Sequence, residues 1–229
     1  MKILIIYILA VMLLSSGCAV QTISKAQAFP QMYVEKPVAI LVVPSINQST
    51  AADAPILYSS TINEPLSNAG FYVLPIEVTN RVLSNEGLVD GEALKDVQPQ
   101  KFHEHFGADA VLYVTIEKWD TNYYILGGNV TVGVDFKMKS TKSGETLWAY
   151  KDQMVLDTSG NNNNGGGLLA MIINAALTTA LQDYVPIARR VNVMSLSAIP
   201  FGKYHRMHDK DQTMAVPTRK ILDQISDGG

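Results

Sequence analysis

Apolar residues along this chain change their spacing once, between residues 118 and 130, and that change restricts the possible folds. Val38–Val43 reads VAILVV, an apolar run with no polar alternation, stopped by Pro44. Such a run predicts a strand covered on both faces. Phe71–Ile76 and Ala110–Lys118 predict two further strands. Between the first two, Pro55–Ala69 sets Tyr58, Ile62, Leu66 and Ala69 at helical spacing, with Gly70 as the stop. Pro65 interrupts this stretch. A mid-helix proline costs about 3 kcal/mol, so a kinked helix or two short ones are expected. Val78–Asn85 and Pro99–Phe106 predict two more helices, the second ended by Gly107. Strands separated by helices favour parallel pairing. Beyond residue 129 the pattern differs. Val130, Val132, Val134, Phe136 and Met138 alternate with Thr131, Gly133, Asp135, Lys137 and Lys139. One dry face and one wet face predict an antiparallel strand. Thr141–Glu145 is a turn, and Thr146–Leu156 runs back as the hairpin partner. The expected fold is α/β (α+β), a mixed sheet of about five strands flanked by helices.

The ends of the chain read differently. Met1-Lys2, the apolar stretch Ile3–Leu14 and Ser15-Ser16-Gly17 have the order of a secretory leader, residues 1–17. The run is shorter than the roughly 20 residues a spanning helix needs. Residues 18–36 lack a clear period and read as a tether, 37–205 as the α/β domain, and 206–229 as a polar tail. Asn122–Gly128 reads as a bend into the hairpin. Thr218–Ile225 is a candidate terminal helix. Within the domain, SGNNNNGGG at 159–167 reads as a loop. It precedes a strongly apolar helix, Leu168–Gln182. A second helix covers Val185–Leu196, with Pro186 suited to its first turn. Cys18 is the only cysteine, so no disulfide can form within the chain and packing alone must hold the fold. The net charge is −3, which offers no basic face for nucleic acid.

Candidate chemistry is sparse. His103 and His105 are two apart on a helix and point about 200° from each other, so they cannot share a metal. His205 and His208 could share a face but lie in a polar stretch without a cysteine partner. Gly165–Gly167 precedes a helix but lacks the Lys and Ser/Thr of a phosphate cradle. Glu64, Glu77, Glu117 and Asp120 are the acids nearest strand or helix ends, and Glu64 with Glu117 is the pair a hydrolase would use. No catalytic residue, metal or cofactor is expected, and the chain does not read as an enzyme. Trp119, Tyr123 and Tyr124 combine apolar area with polar handles, as interface residues do. They form either a partner-binding patch or a rim packed under the hairpin. Leu168, Leu169, Ile172 and Ile173 belong to a helix apolar nearly all round, which must be buried in the core, in another subunit or against a membrane.

Ser15-Ser16-Gly17-Cys18 resembles the lipobox of bacterial lipoproteins, with Ser15 where that family prefers leucine. The resemblance implies that Cys18 is acylated and becomes the mature N-terminus. Ala19, rather than aspartate, after the cysteine implies the outer membrane and its periplasmic face. Five further stretches, taken in order, are similar to a family of bacterial lipoproteins of unknown function that includes a neisserial genome-derived antigen. They are Pro44–Ser49, Glu64-Pro65-Leu66 with Gly70–Pro75, Gly107–Val114, Ser143–Trp148 and Ile199–Gly202. A wider resemblance is to the periplasmic domain of the curli-secretion lipoprotein CsgG and to the TolB N-terminal domain. Together these imply a lipid-anchored domain that binds envelope proteins, or forms a homo-oligomer, in envelope assembly or export. A CsgG-like pore subunit and a cell-wall glycan or lipid hydrolase are the alternatives.

Overall fold

The computed structural model describes residues 21–124, 127–157 and 184–218. The leader, Cys18, the loop at 159–167, the helix at 168–182 and all but Thr218 of the terminal helix lie outside the described residues. The elements, in chain order, begin with β1 (Thr22–Ser24), α1 (Lys25–Ala28), α2 (Pro30–Glu35), β2 (Ala39–Val42) and β3 (Ile46–Asn47). There follow α3 (Ala54–Asn68), β4 (Tyr72–Val73), α4 (Ile76–Asn85), α5 (Gly91–Leu94) and α6 (Pro99–Phe106). The chain continues through β5 (Ala110–Tyr124), β6 (Gly127–Ser140), β7 (Thr146–Asp157), α7 (Val185–Leu196) and β8 (Ala215–Pro217).

The main sheet is mixed, with strand order β4-β2-β5-β6-β7, and β3 also pairing with β5. β2 is parallel to both β4 and β5, while β5, β6 and β7 are antiparallel. The change of spacing in the sequence therefore falls where the sheet changes from parallel to antiparallel. The VAILVV run is continuous because its two faces enter two cores. Ile40 and Val42 pack with α3 and α7 in the larger core; Leu41 and Val43 face Leu83, Leu94 and Phe102 in the smaller one. The dry face of β6, from Val130 to Met138, is wholly buried in the larger core, so this hairpin belongs to the domain's own sheet.

α3 is one helix, not two. Pro65 falls in its final turn, where little helix remains to be broken. The Ala69 N–H donates to the Pro65 carbonyl and the Phe71 N–H to Leu66, with Gly70 at φ +92° closing the turn. Asn192 of α7 is fully buried and donates to the Tyr58 carbonyl and to Thr61 Oγ1, which fixes α7 on α3.

Residues 21–36 and 206–218, from the stretches read as a tether and as a tail, are part of the folded body. β1 pairs antiparallel with β8, Thr22 opposite Pro217 and Ser24 opposite Ala215. Ser24 and Gln27 form a capping box that starts α1. Phe29 sets its ring 6.2 Å from that of Trp148. Glu35 accepts hydrogen bonds from Ser140 and Ser143, tying α2 to the β6–β7 turn. No helix among the described residues is long and apolar enough to cross a membrane.

Candidate functional site

Two polar clusters lie at opposite ends of β2. The first, a clasp, sits before its amino end. Lys25 is 1% exposed. Its Nζ donates to the Ile199 carbonyl at 2.6 Å, lies 3.3 Å from Asp211 Oδ2 and stands 4.4 Å above the Phe201 ring. Asp211 is fully buried and also accepts from the Tyr33 hydroxyl at 3.1 Å and the Phe201 N–H at 2.9 Å. Burial pulls the Lys25 ammonium below its ordinary pKa, and the Asp211 charge opposes that pull. Burial, then the same carboxylate, pushes the Tyr33 phenol up. Gly202 makes the clasp possible: a Cβ there would lie 2.5 Å from the Gly70 carbonyl oxygen. The clasp thus joins α1, α2, the Ile199–Gly202 stretch and the segment leading into β8.

The second cluster is a cleft of about 410 Å³ beyond the carboxyl end of β2. In open α/β sheets this is the edge at which ligands bind. Pro44 ends the strand, and Ser45, Ile46 and Asn47 form one wall. Asn47 Oδ1 accepts from the N–H and hydroxyl of Ser49, which shapes the loop toward α3. Gly91 closes in from the other side, where a Cβ would lie 2.6 Å from the Ile46 nitrogen. Ser59, Asn80 and Ser84 supply further hydroxyl and amide groups. Among the described residues, Ser45 Oγ and Asn80 Oδ1 are shielded from solvent yet have no hydrogen-bond partner. An unpaired buried polar group costs about 1–3 kcal/mol, so such atoms are usually satisfied. Ile56 and Val89, 69% and 65% exposed, supply aliphatic surface at the rim.

The residues singled out in the sequence fall elsewhere. Trp119 is 4% exposed, with its ring edge-on to Tyr58 and Tyr184, so it is a core residue and not a surface patch. The cause is a bulge between Ile116 and Lys118. Strict alternation from Leu112, Val114 and Ile116 would turn Trp119 outward; one extra residue turns it back. Asn122, Tyr123 and Tyr124 continue β5 opposite Asn129, Gly128 and Gly127, so these residues are strand and not the expected bend. Glu64 pairs with Arg189 at 2.9 Å and Glu117 with Lys151 at 2.6 Å. His103 Nδ1 lies 2.9 Å from the Ala108 carbonyl, and His208 Nδ1 lies 2.8 Å from that of Phe201. His205 stacks on the Phe201 ring at 3.7 Å. Cys18, Leu168, Leu169, Ile172 and Ile173 lie outside the described residues. Lys25, Asp211, Ser45 and Asn80 were not singled out from the sequence. Only Ser45 carried a signal, as part of the Pro44–Ser49 stretch.

The described residues form an α+β domain, a mixed sheet flanked by helices. The chain belongs to the GNA1162-like lipoprotein family, which it matches over residues 28–198. It is 36% identical over 151 residues to the lipoprotein NMB1124/NMB1162 of Neisseria meningitidis serogroup B, covering 65% of this chain and 68% of that one. The crystal structure of lipoprotein GNA1162 from Neisseria meningitidis is 33% identical, covers 62% of this chain and 97% of its own, and gives a TM-score of 0.49. The PelC dodecamer from Paraburkholderia phytofirmans is 15% identical, covers 73% and 91%, and gives 0.44.

Proposed function

We propose that this protein is an outer-membrane lipoprotein, anchored through acylated Cys18 on the periplasmic face, that binds a protein partner in envelope assembly or export. The observation that carries the binding role is the cleft, where Ser45 Oγ and Asn80 Oδ1 stand unpaired among the described residues. A peptide segment suits it, since backbone N–H and C=O groups complement a hydroxyl and an amide, and aliphatic side chains complement Ile56 and Val89. Glu64 and Glu117 are each held by their own cation, which favours binding over acid–base chemistry.

The test is photocrosslinking in intact cells from a photoreactive residue at Ile56, with Val155, 63% exposed on β7, as the comparison site. A discrete adduct from position 56 that disappears with Asn80→Leu is the expected result. An adduct with a second copy of the chain would identify self-association as the binding event. Equal labelling from both positions, or none from position 56, overturns the reading.

A further inference from the structure

The clasp and the position of Cys18 bear on how the domain meets its membrane; this step rests on the anchor reading above. Gln21 is held by Thr218, whose N–H and hydroxyl both donate to the Gln21 carbonyl at 3.0 and 2.8 Å. Only Ala19 and Val20 separate it from Cys18. A fully extended chain spans at most about 3.6 Å per residue, so an acylated Cys18 keeps Gln21 within about 11 Å of the lipid attachment. No slack remains for a tether, and the β1–β8 edge is held at the headgroups.

The same edge continues into the loop between α7 and β8. The Met214 carbonyl accepts from the Lys25 N–H and the Gln212 carbonyl from that of Ala26, so the loop wraps the first turn after β1. Its composition departs from that of an acidic chain. Lys203, Arg206 and Lys210 are exposed and form no ion pair among the described residues. Of the nearby acids, Asp211 is buried against Lys25 and Asp209 is paired with Lys36. Tyr204, Met207 and Met214 are 66%, 37% and 44% exposed beside these cations. Unpaired cations interleaved with an aromatic ring and flexible apolar side chains suit an anionic lipid interface.

We propose that the loop 201–214 docks on the anionic headgroups of the bilayer that holds Cys18. The domain then sits flush on the membrane, amino ends of β2 and β4 inward, with the cleft facing away into the periplasm.

The experiment uses the full acylated chain in phosphatidylethanolamine/phosphatidylglycerol vesicles containing brominated lipid. Tryptophan is introduced as Tyr204→Trp or as Ile56→Trp, over a background of Trp119 and Trp148, both buried. Quenching of the position-204 tryptophan, little at position 56, and loss of quenching with Lys203, Arg206 and Lys210 all changed to Gln are expected. Equal quenching at both positions, or quenching at 204 indifferent to the triple change, overturns the docking. Flotation with vesicles at high salt reads the anchor separately: protein that fails to float overturns the acylated Cys18 itself.

Discussion

The clasp and the cleft stand at opposite ends of a single short strand and draw on similar polar atoms, yet they are resolved in contrary ways. At the clasp every charged group has its partner: Lys25 meets Asp211 and a carbonyl, and Asp211 takes two further donors. At the cleft two atoms are sheltered and left over. Completeness at one end and incompleteness at the other set the clasp apart from the cleft, where the proposed partner would bind.

Three substitutions probe that separation. Lys25→Met leaves Asp211 buried without its counter-ion, and the expected loss is about 3–5 kcal/mol in chemical denaturation. A loss under 1 kcal/mol would mean that the clasp does not hold the ends together. Gly202→Ala forces the Gly70 backbone to shift and should cost about 1–3 kcal/mol, read as a lowered thermal midpoint with the cleft crosslink retained. Ser45→Ala removes a hydroxyl that satisfies nothing among the described residues, so stability should move by less than about 1 kcal/mol in either direction while the crosslink from position 56 falls. A large loss of stability with the crosslink intact would reverse the roles given to the two clusters.

The architecture of the sheet was legible because hydrophobic spacing reports how many faces of a strand are covered. The continuous run at Val38–Val43 and the alternation at Val130–Met138 mark the two-sided and one-sided strands where they occur. The chain ends were misread for the same reason. β1 and β8 are three residues each, too short to show a period, and Lys25 reads as a solvated residue unless its carboxylate, 186 positions away, is known. The sequence leaves Trp119 open between a surface patch and a packed rim, and the bulged residue that turns it into the core leaves no trace in composition. The cleft was visible only as the stretch Pro44–Ser49. Its other wall, Asn80 and Gly91, comes from α4 and α5 and is assembled by the connection from β4 to β5.

The pairing of Thr22 with Pro217 also sets a schedule. The first strand has no partner until almost the whole chain has been made. Contacts of such long sequence separation form late, so β1 is expected to find its place after most of the fold. Under the acylation proposed for Cys18, that order would keep the cysteine within reach of modifying enzymes while the chain is incomplete. Closure of the domain then comes last, as the C-terminal strand arrives.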